Sequence, residues 1–194
     1  MVKAADGRET VEVTSAAALR RWLAKNCHQE HSVWLITFKK NAGERYVSNA
    51  EVLDELVAFG WIDGIRQKVD DERTMQLISP RRTKPWAKSY KDRAARLIAE
   101  GLMSPAGQAA IDEAKSSGAW DQMNEVDAFV MPDDLHDSLV RNAPALENFL
   151  AFPPSTRRNI LRWIALARKP ETRERRIARI TEDASTGVRT TVNG

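Results

Sequence analysis

The chain has 194 residues, of which 42% are hydrophobic and 29% charged, with a formal net charge of +3. That length and apolar content allow one domain or two small ones, each with a real core, and argue against a disordered or collagen-like chain. A single cysteine, Cys27, excludes an internal disulfide, and no apolar run approaches the length of a membrane span. No apolar h-region follows Lys3 at the start of the sequence, which points to a cytoplasmic protein.

Thr14 or Ser15 can cap a first helix in which Leu19, Trp22 and Leu23 recur at helical spacing up to Asn26. Residues 32–39 (SVWLITFK) are rich in β-branched and aromatic side chains and too short for a typical helix, so they predict a strand. Asn41, Ala42 and Gly43 turn the chain. Ser48 and Glu51 then form a capping box before a second helix that buries Val52, Leu53, Leu56 and Val57 and stops at Gly60. Two extended runs, 61–69 and 74–79, flank the polar turn 70–73 and predict a β-hairpin. Strict alternation would place Trp61, Asp63, Ile65, Gln67 and Val69 on one face of its first strand, with Asp63 among apolar neighbours and in need of a partner. Pro80 ends the second strand. The loop 81–88 leads into a helix from about Ser89 to Glu100 with Gly101 as its stop, and Ser104-Pro105 opens another that runs to Ser117.

No strand is expected after residue 127. Pro132, Pro144, Ser155 and Pro170 each mark the start of a helix, and the sequence after Glu182 is polar. The fold class is therefore α+β: a small antiparallel sheet with packed helices in the N-terminal part and an all-helical bundle in the C-terminal part. The expected organisation is an α+β domain over 1–125 with its hairpin at 61–79, a helical domain over 126–183 and a frayed tail over 184–194.

Charge is segregated along the chain. Residues 80–101 carry seven Lys/Arg against Asp92 and Glu100; residues 155–180 carry nine against Glu171 and Glu174; residues 110–137 carry eight acids against Lys115. Such runs are ordinarily solvated or mutually paired faces, and the sharper alternative is an anion-binding surface. The nucleotide and nucleophile fingerprints Gly-x-Gly-x-x-Gly, Gly-Lys-Ser/Thr and Gly-x-Ser-x-Gly are missing. Cys27, His28 and His31 offer zinc-like ligands, but a fourth is not apparent, and neither a metal nor a cofactor is expected.

One constellation carries more chemistry. Gly60-Trp61-Ile62-Asp63-Gly64 is followed by Pro80-Arg81-Arg82, by Trp86-Ala87-Lys88, and by a helix ending Leu97-Ile98-Ala99-Glu100-Gly101-Leu102-Met103 with Ser104-Pro105-Ala106-Gly107 behind it. Near the other end stand Pro154-Ser155 with Arg158, Leu161-Arg162-Trp163-Ile164, and then Ala167-Arg168-Lys169-Pro170-Glu171 leading to Arg175-Arg176-Ile177. Together these segments, over residues 32–180, resemble the bacteriocin-protection, YdeI/OmpD-associated family. Ala87 departs from that pattern, which has serine between the tryptophan and the lysine, and hydroxyl chemistry at that point is put in doubt. The resemblance implies a soluble stress-tolerance protein and names a phenotype rather than a reaction, so it carries over no catalytic residues.

The residues themselves support three functions. In the first, Trp61 and Trp86 wall a pocket between hairpin and loop, Arg66, Arg81, Arg82 and Lys88 hold a small anion, and Asp63 orients an arginine or takes a ligand proton. The helix start near Ser89 would add backbone donors for a sulfate, phosphate or carboxylate. In the second, an enzyme uses Asp63 as general base with Arg81 or Arg82 as electrostatic stabiliser. In the third, the arginine-rich C-terminal helices bind nucleic acid. The plain competitor to all three is that Asp63 pairs with an arginine and both tryptophans fill the core.

Overall fold

The computed structural model describes residues 4, 6–82 and 84–192, which form two compact units, Met1–Trp120 and Asp121–Gly194. Among the described residues no helix is long and apolar enough to cross a membrane.

In the first unit, strand β1 (Thr10–Glu12) precedes helix α1 (Ala16–Asn26), which Ser15 caps by accepting a hydrogen bond from the Ala18 N–H. Strand β2 (Val33–Phe38) follows, then a 3-10 segment (Lys40–Arg45) and helix α2 (Asn49–Ala58). The capping box of α2 is complete: the Glu51 N–H donates to Ser48 Oγ at 3.2 Å and the Ser48 N–H to Glu51 Oε2 at 2.8 Å. Hydrogen bonding to its carboxylate by the Ser48 side chain and by the Ser48 N–H holds Glu51 below its ordinary pKa, since both favour the charged form. Strands β3 (Trp61–Lys68) and β4 (Arg73–Pro80) form the hairpin, and helices α3 (Lys88–Ala99) and α4 (Pro105–Ser116) complete the unit.

The sheet order is β1-β2-β4-β3. β2, β4 and β3 are antiparallel neighbours, and β1 adds at the far edge in parallel with β2 through Thr10, Val11 and Glu12. This short strand escapes sequence reading because three residues show too little alternation to be recognised. Asp70 shapes the hairpin turn by accepting the N–H groups of Glu72 and Arg73.

The core joins Leu19 and Leu23 of α1, Val52, Leu56 and Val57 of α2, Val33 and Leu35 of β2, Ile78 of β4 and Leu97 of α3. Each such side chain removed from water contributes roughly 1.5–3 kcal/mol before entropy is subtracted. Helices α2 and α4 approach so closely that a Cβ on Gly107 would lie 2.2 Å from the carbonyl oxygen of Ala58. Gly107 is therefore a packing requirement, and Ser104 braces the same contact by donating its hydroxyl to that oxygen at 2.6 Å.

The second unit is helical, with α5 (Asn124–Asp127), α6 (Asp133–Arg141), α7 (Ala145–Ala151), α8 (Pro154–Ala165) and α9 (Pro170–Ser185). Its core gathers Leu135, Leu139, Phe149, Ile160, Leu161, Ile164, Ile177 and Ile180. Asp134 at the start of α6 accepts a fork of hydrogen bonds from Arg173 at 2.6 and 2.9 Å. Ser155 does not cap α8. Pro154 occupies the first helical position, where its missing N–H costs nothing, and Pro153 takes the cap position without a side-chain bond. The polar end of the sequence returns to the bundle, with Thr190 buried and Val192 packed against the core.

Candidate functional site

Hairpin, α2 and α3 converge on the residues singled out from sequence, but the arrangement differs from strict alternation. The β3–β4 register shifts between Asp63, which pairs with Ile78, and Arg66, which pairs with Gln76. A β-bulge of this kind places an extra residue in one strand and re-aims the side chains beyond it. Ile65, expected beside Trp61 and Asp63, is instead 62% exposed. Asp63 and Arg66 meet on one side of the strand through Gln76, whose amide nitrogen donates to Asp63 Oδ2 at 2.9 Å while its oxygen accepts from Arg66 Nη2 at 2.7 Å.

The partner of Asp63 is no arginine. Tyr90, in the first turn of α3, donates its hydroxyl to Asp63 Oδ1, so a tyrosine and a glutamine satisfy the half-buried carboxylate. Gln76 is itself buried, at 6% exposure, and serves both sides of the network. At its outer end, Arg66 Nη2 also donates to Asn49 Oδ1 at 2.6 Å, at the start of α2. The result is a continuous chain of hydrogen bonds from Asn49 through Arg66, Gln76 and Asp63 to Tyr90.

Arg81 sits at the other side of Tyr90. Its guanidinium carbon lies 4.7 Å from the centroid of the Tyr90 ring and 4.1 Å from that of Trp86, and Nη1 donates to the carbonyl of Pro85 at 3.0 Å. The residue is only 5% exposed. A guanidinium so placed tolerates burial because the aromatic faces and carbonyl oxygens replace part of its hydration. Asp63 and Arg81 thus contact the same tyrosine, one at its hydroxyl and the other over its ring.

The tryptophans belong to the core. Trp61 is 1% exposed and meets Trp22 edge to face at 5.5 Å; Trp86 is fully buried and packs against Trp120 at 5.0 Å. Among the described residues neither indole N–H finds a hydrogen-bond partner. Their placement is that of the plain competitor, in which both rings fill the interior.

Two exposed cations singled out from sequence, Arg82 and Lys88, are paired. Arg82 donates to the Glu30 carbonyl at 3.3 Å and lies 3.5 Å from its carboxylate, and Lys88 reaches Asp92, one helical turn on, at 2.7 Å. Further along α3, Arg93 and Arg96 both bind Asp54 of α2. The helix begins at Lys88, one residue before Ser89, and its cap position is held by Ala87, which has no side-chain bond to offer. The alanine noted as a departure in sequence thus stands where a serine would cap the helix. Thr83, within the loop, lies outside the described residues.

Arg66 stands apart from these pairs. It is exposed, its two partners are the neutral amides of Asn49 and Gln76, and among the described residues no carboxylate lies within ion-pair distance of it. Gln76, Asn49 and Tyr90 were not identifiable from sequence, because their importance depends on contacts across the bulge and between elements.

Elsewhere in this unit, an apolar cavity of about 490 Å³ lies beside Cys27 and His28, walled by Phe59, Pro105, Ala106 and Ala109. Cys27 there only approaches the carbonyl of Ala24, at 3.7 Å. Among the described residues no group of three or more His, Cys, Asp or Glu is placed to hold a metal.

Residues 11–110 match the family described as Domain of unknown function (DUF8412). Residues 128–187 match the family described as Bacteriocin-protection, YdeI or OmpD-Associated. No curated protein and no solved structure matches the chain.

Proposed function

Starting from a chain that belongs to the DUF8412 family and carries a Bacteriocin-protection, YdeI or OmpD-Associated domain behind it, we propose a cytoplasmic bacteriocin-protection protein whose first unit binds a small anion. The observation that carries this reading is Arg66, an exposed guanidinium oriented by two neutral amide oxygens and, among the described residues, left without a carboxylate. A cation fixed in this way has little rotamer freedom to lose and no internal salt bridge to break, so a phosphate or carboxylate gains most of the charge-assisted bond.

Binding takes precedence over catalysis on the same geometry. Both oxygens of Asp63 already accept hydrogen bonds, from Tyr90 and Gln76, which occupies the carboxylate that a general-base mechanism would use. Arg81 is turned towards two aromatic rings and the Pro85 carbonyl, and it braces the floor beneath the hairpin. The ligand contact is thereby assigned to Arg66 rather than to the loop cations.

Calorimetric titration of the full chain with inorganic phosphate and a panel of mono- and dicarboxylates tests the reading. Heat that shrinks with added salt, with affinity at least about tenfold weaker in Arg66→Ala, is expected. No heat from any of these anions, or equal affinity in the variant, refutes anion binding at the hairpin. In a bacteriocin-sensitive host, expression of the chain should raise survival and Arg66→Ala should abolish the gain.

A further inference from the structure

The second unit carries a pocket of its own, independent of the hairpin. Asn159, Arg162 and Trp163 of α8, its cap residue Leu166, and Val192 from the segment after α9 line an open cleft of about 360 Å³. That volume is in the range of small-molecule sites. Arg179 ties the segment to the pocket edge by donating to the Thr191 carbonyl at 3.4 Å.

The lining divides into two chemistries. Trp163, Leu166 and Val192 make an apolar wall. Asn159 and Arg162 are exposed at its rim, and among the described residues their side chains make no hydrogen bond or ion pair. Behind the wall, the guanidinium groups of Arg176 and Arg179 lie 4.8 and 5.8 Å from the Trp163 ring centroid, and Arg176 also donates to the Trp163 carbonyl. Among the described residues, the acid within ion-pair distance of this group is Asp183, 3.9 Å from Arg179. An apolar wall, an amide, and an excess of guanidinium charge together fit a flat ring with polar edges and an attached anion.

We propose that this pocket is a nucleotide site, with a nucleobase against Trp163, Leu166 and Val192, its edge read by Asn159, and its phosphate held by Arg162. Base faces stack on tryptophan and on guanidinium planes, asparagine offers one donor group and one acceptor to a base edge, and arginine binds phosphate through paired donors. The nucleotide has two sources, a free mononucleotide or an unpaired residue of single-stranded RNA or DNA. Both present the same base and phosphate.

The test uses the full chain. AMP, UMP and inorganic phosphate are titrated calorimetrically, and fluorescein-labelled poly(U) and poly(dT) oligonucleotides are followed by anisotropy. Arg162→Ala and Asn159→Ala, both at exposed positions, are compared with wild type. Mononucleotide binding that weakens about tenfold in Arg162→Ala supports the site and assigns it to free nucleotides. Oligonucleotide binding with the same sensitivity, and none of the mononucleotides, supports it and assigns it to single-stranded nucleic acid. Absence of binding in both arms, binding that neither variant alters, or inorganic phosphate binding as tightly as the nucleotides and weakened equally by Arg162→Ala, overturns the proposal.

Discussion

Replacing Gly107 with alanine tests how closely the first unit is packed. On propensity alone the change favours helix α4 by about 1 kcal/mol. Against that gain, the new Cβ would stand 2.2 Å from Ala58 O, 2.5 Å from Met103 Sδ and 2.7 Å from the Ala58 carbonyl carbon. The sulfur sits at the end of a flexible side chain and can yield; the peptide group of α2 cannot. Restoring ordinary contact requires α4 to retreat by about 1 Å, an overpacking strain of roughly 1–3 kcal/mol. The same carbonyl accepts the Ser104 N–H at 3.0 Å and the Ser104 hydroxyl at 2.6 Å, so the retreat also stretches bonds worth about 1 kcal/mol each. The balance is a loss of about 2 kcal/mol, which lowers Tm by about 10 °C for a unit of this size. Intrinsic fluorescence suits the measurement, because five of the six tryptophans lie within Met1–Trp120. Gly107→Ala melting at or above wild type would refute the argument that the α2–α4 approach needs a bare Cα.

Two further outcomes follow from the capping and charge pattern. Ala87→Ser places a hydroxyl at an extended cap residue (φ −71°, ψ 156°) that now makes no side-chain bond, and it should stabilise by about 1 kcal/mol in denaturant titration; an unchanged midpoint counts against the cap assignment. The Arg173 fork holds the Asp134 carboxyl below its ordinary value of 3.8, so its contribution to stability is present above that value and fades as pH falls through the lower folded pKa. With Asp134 47% exposed, solvent screening limits this to below about 1 kcal/mol. Asp134→Asn should therefore destabilise slightly at neutral pH and converge with wild type in acid, and a constant difference across pH 2–7 in urea titrations would show that the fork is not the cause.

Much of the architecture is legible locally because its determinants act over three or four residues. Ser15, Ser48 with Glu51, and Ser104-Pro105 announce helix starts through bonds to their own first turns, and the β-branched run at 32–39 announces a strand by shape. Where two local signals compete, the reading slips: Ser155 resembles a cap, but the rigid φ of Pro154 starts α8 first. The site is a different matter. Alternation along residues 61–69 fails at one bulge, and that single extra residue brings Arg66 to Gln76 and turns Ile65 out. Tyr90 is 27 residues from the Asp63 it satisfies, and Arg81 is buried because two rings from the following turn close over it. Composition and periodicity are sums over neighbours in the chain and suffice for elements and fold class; whether an arginine is a brace or a free binding group depends on which distant side chains reach it first, and that is a property of the packed molecule alone.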